Sequence, residues 1–306
     1  MPVVPKFLQG TIDPIMKKIV RSGPYTRRYN NSLGIRLNET YLRYARECSA
    51  AYVARNGRTD FGESRIRTHS AQLFPGTMAE DKARAYSHMI TNLIARGEVL
   101  PQDEKHKTLM KAIRHPARTM GTDYLDIFRS PELDAALIAF NHGYYRLEWM
   151  SAFRSLPSGA LASSWNWHTD ANPPYTCKVF LHLTPATGEL GATNFMTPAD
   201  TAEYRRAGYF GDHYGNERMG DTELRAFAQK HGLPYRPFHL DVKPGDVSLF
   251  NQNFLHRAVA PQHDFRDVLE FFILPNPVPW NEQLAKDGID KLEVHQPLYQ
   301  KDPHRP

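Results

Sequence analysis

The 306-residue chain is 41% hydrophobic and 23% charged, a globular composition that excludes a disordered or fibrous protein. No apolar run approaches the roughly 20 residues of a membrane span, and the first twenty residues lack a secretory signal's pattern, so no membrane partner is expected. Two cysteines, Cys48 and Cys177, exclude a disulfide framework and a paired-cysteine zinc site, and a reducing, cytoplasmic setting is expected.

The net charge of +5 is unevenly spread. Residues 1–36 carry seven Lys and Arg against one acid, Asp13. A basic arm of this kind reads as a solvated, solubilising face, and no nucleic-acid partner is expected. Further along, Leu42, Ala45, Cys48 and Ala51–Tyr52 recur at helical spacing and predict a helix over 38–54 with Asn38 as its cap. A cleaner stripe, Ala83, Tyr86, Met89–Ile90 and Leu93–Ile94, predicts a helix over 79–96 ended by Gly97. Shorter helices are expected over 104–114 and 132–141.

After residue 143 the period changes. Short apolar or alternating runs at 144–153, 165–170, 176–184, 192–196, 238–242, 247–250 and 268–274 are punctuated by Pro173–Pro174, Pro185, Gly188, Gly191, Pro244–Gly245 and Pro275. Such spacing predicts a β-sandwich or jelly roll. The expected organisation is one α+β domain over 1–306. It has a mainly helical half (1–143), a β core (144–276) interrupted by an insertion at 200–237, and a C-terminal extension (277–306). The insertion is either a lid or binding loop, or a surface helix with a turn, since 221–230 has helical propensity.

His168-Thr169-Asp170 places an imidazole and a carboxylate two residues apart, on one face of an extended segment. Two histidines and one carboxylate on one face suit ferrous iron, leaving positions open. A second such triplet, His239-Leu240-Asp241, is expected to face solvent, because Phe238, Leu240 and Val242 take the apolar side of its strand. The first triplet is followed, 86 residues after Asp170, by His256, and ten residues later by Arg266 at the start of a strand. A guanidinium there suits a dicarboxylate. The alternatives are a buried hydrogen-bonded His–Asp pair and an ion pair of Arg266 with Asp264 or Asp267.

The stretch from Trp165 to Leu274, with its WNWHTD, TCKVFLHLT, KPGDVSLFNQNFLHRAVAP and FRDVLEFFILP segments, resembles the iron(II)/2-oxoglutarate-dependent dioxygenases, and within them the phytanoyl-CoA dioxygenase-like group. The resemblance implies a double-stranded β-helix (jelly-roll, cupin-like) core. It also implies His168, Asp170 and His256 as catalytic metal ligands, and Arg266 as the grip on the distal carboxylate of 2-oxoglutarate. The implied cofactors are Fe(II), 2-oxoglutarate as cosubstrate and O2. The implied reaction is hydroxylation of an unactivated C–H bond of a small molecule, releasing succinate and CO2. A protein or peptide hydroxylase and a non-catalytic cupin-like binding protein are the alternatives. Tyr175 and Lys178 are further candidate donors to the cosubstrate, Trp165 a candidate wall and Asn194 a candidate contact. Arg65, Arg67, Arg205 and Arg206 are candidate anchors for an anionic substrate. If Arg266 points inward, alternation turns Glu270 inward as well, where it needs a partner, a bulge or exposure.

Overall fold

The computed structural model describes residues 24–101, 110–157, 163–170, 172–211, 218–295 and 303–304, with side chains from Glu39 onward in the first helix. Most of the basic arm lies outside the described residues. The first helix, α1, runs Pro24–Asn56, so Asn38 sits inside it instead of capping it. Two short elements follow, α2 (Arg65–Thr68) and β1 (Ala71–Phe74). Helix α3 spans Glu80–Ala95 and buries Ala83, Tyr86, Ile90 and Leu93, the stripe read from the sequence. It ends where Gly97 takes the left-handed conformation (φ +77°), which returns the Glu98 N–H to the Leu93 carbonyl.

Of the helix expected over 104–114, residues 104–109 lie outside the described residues, and Met110–Ala112 are a strand, β2. Then come α4 (Pro116–Thr119), a 3-10 turn (Asp123–Arg129), α5 (Pro131–Asn141) and β3 (Tyr145–Ser155). Strand β4 is Cys177–His182, β5 is Asn194–Phe195, and helices α6 (Pro198–Arg206) and α7 (Asp221–His231) occupy the insertion. The chain ends through β6 (Phe238–His239), β7 (Val247–Phe250), β8 (His256–Arg257), β9 (Arg266–Pro275), α8 (Trp280–Asp287) and a 3-10 turn over Ile289–Glu293. Among the described residues no helix is long and apolar enough to cross a membrane.

The strands form two antiparallel sheets. The larger has the order β1-β7-β4-β9-β3-β2 and the smaller β6-β5-β8. The N-terminal half is thus less purely helical than expected: β1 and β2 close the two edges of the larger sheet. Strand alternation divides the labour of that sheet between its faces. Val179, Leu181, Val247, Leu249, Leu269, Phe271 and Ile273 point to the side where Ile90 and Leu93 of α3, Phe128, and Leu133 and Leu137 of α5 complete the main core. Phe180, Phe250, Val268, Phe153 and Ala71 point the other way, where Phe195 and Phe238 of the smaller sheet meet them. The site lies on this second side.

The turn Lys243–Asp246 between β6 and β7 is held tightly. Asp246 Oδ2 accepts from the Lys243 N–H at 2.8 Å, and Gly245 (φ +91°) donates to the His182 carbonyl at 2.8 Å. A β-carbon on Gly245 would collide with the Met78 carbonyl oxygen, so glycine there is a packing requirement.

Candidate metal centre

His256 reaches the interior from β8 of the smaller sheet, in register with Phe195, and its ring lies 5.6 Å from that of Phe250. His168 does not sit on a strand, contrary to the run expected over 165–170: Ser163–Trp165 is a 3-10 turn, and one two-way backbone bridge follows. In that bridge the N–H of each histidine donates to the carbonyl of the other at 2.9 Å. The Asp170 N–H donates to the Gln252 carbonyl at 3.0 Å. Two segments 86 residues apart are therefore stitched together at the two histidines themselves, and the imidazole centroids stand 4.2 Å apart.

The local backbone also sets the tautomers. His168 Nδ1 lies 2.8 Å from the Asn166 carbonyl oxygen, and His256 Nδ1 lies 2.9 Å from that of Phe254. A carbonyl only accepts, so each Nδ1 carries the proton and each Nε2 presents a bare lone pair. Both Nε2 atoms face one carboxylate: His168 Nε2 is 3.4 Å from Asp170 Oδ1 and His256 Nε2 is 3.9 Å from Asp170 Oδ2. All three donor atoms fall within 4.8 Å of one another.

Burial disfavours ionisation of Asp170, but the Lys178 ammonium beside it outweighs burial and holds the carboxyl well below its ordinary range. Burial, reinforced by His168 and Lys178, pushes the His256 imidazole down to about 3, so it is neutral at physiological pH. The result is three adjacent lone-pair donors with no proton of their own between them. Asp170 Oδ2 is buried and has no aligned hydrogen-bond donor, although Lys178 Nζ lies 3.0 Å away. This set fits a divalent cation, and two nitrogens with one carboxylate on one side match the preference of non-haem iron(II).

Arg266 stands on the inner face of β9, 2% exposed, opposite Ser155. It donates to the Gly191 carbonyl and, at 3.4 Å, to Thr193 Oγ1, while its Nε is buried without a hydrogen-bond partner. Among the described residues no carboxylate lies within ion-pair distance of it. Asp267 points to the opposite face, where Arg154 Nε and Nη2 hold its two oxygens at 2.8 and 2.7 Å. Burial lowers the Arg266 guanidinium to about 10 against the influence of Glu270, and it remains a cation at neutral pH. Beside it on the same face of β4, His182 is bonded to Ser248 Oγ at 2.9 Å, its Nδ1 buried and unpartnered.

Glu270 does turn inward, and its partner is Lys178 at 3.0 Å, with Ser151 Oγ donating to its second oxygen at 3.1 Å. Lys178 therefore bridges Asp170 and Glu270. Tyr175, expected on the following strand, lies two residues before β4 in a left-handed conformation (φ +65°). Its ring packs 5.7 Å from His142 and 6.4 Å from Phe140, with the Arg67 guanidinium 4.6 Å above it. No contact joins it to the triad among the described residues. Arg67 is thereby engaged as well, and its Nη2 donates to the Phe140 carbonyl. Trp165 is buried, and Asn194 pairs in register with Arg257 and His239. The other triplet is a solvent-side pair, His239 Nε2 to Asp241 Oδ1 at 3.2 Å, with side chains 39% and 69% exposed.

The insertion braces the back of the ligand segment. Trp167 N–H donates to the Met219 carbonyl and Thr169 N–H to that of Gly211, each at 2.9 Å. Tyr209 Oη donates to the Trp167 carbonyl. Asp221, at the start of α7, gathers Trp167 Nε1 at 3.2 Å, Arg257 Nη2 at 3.1 Å, Arg225 Nε at 3.0 Å and the Tyr235 hydroxyl. Gly211 (φ +63°) passes so close that a β-carbon would meet His168 Cα at 3.0 Å and Leu255 Cδ2 at 2.9 Å. Gly191, Thr193, Ser248 and Asp221 carry no motif, and sequence reasoning missed them; Glu270 was found only through strand parity.

No family model and no curated protein matches the chain. Solved structures similar to it include the α-ketoglutarate-dependent epimerase SnoN from nogalamycin biosynthesis, at 15% identity over 69% of this chain and 79% of that one, with a TM-score of 0.49. The α-ketoglutarate-dependent carbocyclase SnoK of the same biosynthesis is similar at 12% identity over 76% and 92% of the two chains, TM-score 0.49. HygX from Streptomyces hygroscopicus, solved with nickel and 2-oxoglutarate, is similar at 13% identity over 70% and 88%, TM-score 0.46. At such identities and scores, the roles of residues rest on this chain's own geometry.

Proposed function

We propose that the chain is an Fe(II)- and 2-oxoglutarate-dependent oxygenase built on a double-stranded β-helix, and that it hydroxylates an unactivated C–H bond of a small molecule. The observation that carries the reading is the convergence of two Nδ1-protonated histidines and one ionised carboxylate on a single buried point. Iron held by His168, Asp170 and His256 would, with 2-oxoglutarate and O2, supply oxidising power at that point, with succinate and CO2 as the coproducts.

The chain's own residues do the rest. His168, Asp170 and His256 hold the metal from one side, and the carbonyls of Asn166 and Phe254 fix the two rings so that no reorganisation is needed on binding. Arg266 binds the distal carboxylate of the cosubstrate, and because no described carboxylate lies within ion-pair distance its charge is available for that anion. Phe180, Phe250 and Val268 line the interior between the sheets and exclude water. Lys178 sits beside the ligands as a local counter-charge.

The test is direct: anaerobic loading with ferrous salt, addition of 2-oxoglutarate and then O2, and measurement of succinate. The reading expects succinate from the wild-type chain and none from His168→Ala or His256→Ala, both folded by circular dichroism. Wild-type succinate yields from both variants would overturn it. Coupling of succinate to an oxygenated product across a panel of small molecules then separates hydroxylation from other outcomes of the same ligand set.

A further inference from the structure

Lys178 is a feature of the centre that a metal site does not require. Its Nζ lies 3.0 Å from Asp170 Oδ2 and 3.0 Å from Glu270 Oε1, with the three side chains only 17%, 14% and 12% exposed. Glu270 is itself fixed, because Ser151, directly opposite on β3, donates to its other oxygen at 3.1 Å. An ammonium has three donors and no acceptor, on a flexible four-carbon stem. A dication held by Asp170 and an ammonium held by the same carboxylate repel each other across a short distance. Leaving a buried cation without a partner is strongly unfavourable, so a lysine here needs a second carboxylate when a metal arrives. Glu270 is that carboxylate, and it is already in contact.

We propose that Lys178 and Glu270 form a counter-ion exchange pair that sets the metal affinity of the centre. Lys178 neutralises Asp170 when the site holds no metal and is handed to Glu270 when a divalent cation binds. The proposal rests on the reading of His168, Asp170 and His256 as metal ligands. It assigns the two neighbours opposite effects: Lys178 competes with the metal, and Glu270 relieves that competition. A merely structural ion pair would instead weaken binding whichever partner was removed.

The experiment is a titration of purified apoprotein with Co(II), a redox-stable dication, followed by calorimetry and visible absorption without keto acid. Lys178→Met is expected to bind Co(II) at least tenfold more tightly than wild type, and Glu270→Gln at least tenfold more weakly. The double variant Lys178→Met/Glu270→Gln, which keeps the summed charge of the cluster, is expected to return to wild-type affinity or better. Should Lys178→Met be poorly folded without metal, thermal unfolding with and without Co(II) reads the same effect as a larger metal-induced rise in Tm. Unchanged or weaker binding by Lys178→Met, or a double variant as weak as Glu270→Gln, overturns the exchange pair. Wild-type protein that binds no Co(II), or His256→Ala that binds as wild type does, overturns the metal reading beneath it.

Discussion

Neighbouring residues on β9 illustrate how little separates an unpaired interior charge from a structural ion pair. Arg266 and Asp267 differ by one step of the pleat, and so face opposite sides of the same sheet. Arg266 enters the interior without an ion-pair partner among the described residues, whereas Asp267 closes a bidentate pair with Arg154 and accepts from Ser87 Oγ at 2.7 Å. Arg266→Ala is therefore expected to raise the KM for 2-oxoglutarate by about tenfold or more while leaving Co(II) affinity within a few-fold, since the charge-assisted grip is lost and the metal ligands are untouched. An unchanged KM would place the grip elsewhere. Asp267→Ala strands a buried guanidinium and should destabilise the fold by about 3–5 kcal/mol in chemical denaturation. A loss below about 1 kcal/mol would show that Arg154 finds other partners.

His182 gives a pH-dependent counterpart. Burial first, and then Arg266, push its imidazole down to about 3 in the folded chain. An unfolded histidine titrates near 6.5, so between those values the unfolded state binds the extra proton. Stability attributable to His182 is thus complete above about pH 6.5 and is lost as the pH falls towards 3, by roughly 1.4 kcal/mol per unit. His182→Gln should flatten the fall in stability between pH 6.5 and 4.5 by about 2 kcal/mol, read from denaturant midpoints at each pH. Parallel curves for the two proteins would contradict the assignment.

Among the elements, those with strong periodicity were legible and those defined by partners were not. Helix α3 and strand β7 fall almost where their patterns put them, because an amphipathic stripe and a short apolar run bounded by a Pro-Gly turn are local signals. Strands β1 and β2 are four and three residues long, and only the sheet edges they complete make them strands. Residues 165–170 read as a strand, yet they form a 3-10 turn and a single bridge, since their backbone partners come from the insertion and from 252–256. Within the insertion α7 covers the helical stretch read at 221–230, whereas α6 was not expected. Thr197 caps α6 by accepting the Asp200 N–H at 3.0 Å with Pro198 next, and α7 begins just after Gly220. What no local signal could tell is that Tyr209, Gly211 and Met219, between these helices, brace the backbone of residues 167–169. Gly211→Ala tests that role: the added carbon must displace His168 Cα or Leu255, so Co(II) affinity should fall at least tenfold with helix content preserved. Wild-type affinity in that variant would make the brace incidental.

Across the whole molecule, the two faces of the larger sheet separate stability from chemistry. One face is sealed by helices from the N-terminal half into the main core, and the other closes with the smaller sheet around His168, Asp170 and His256. The clustering of His168, Asp170 and His256 was readable because iron chemistry demands those residue types, and the inward burial of Arg266 from its place at the start of a strand after His256. Tyr175 was misplaced for the opposite reason: its position before β4 and its left-handed backbone depend on packing against Arg67, Phe140 and His142, which are remote in sequence. The most direct measurement of the central claim is an anaerobic titration of Fe(II)-loaded protein with 2-oxoglutarate, followed in the visible range. A charge-transfer band that saturates at one equivalent in the wild type and is absent from His256→Ala is the predicted result; a featureless spectrum from fully iron-loaded wild-type protein would contradict it.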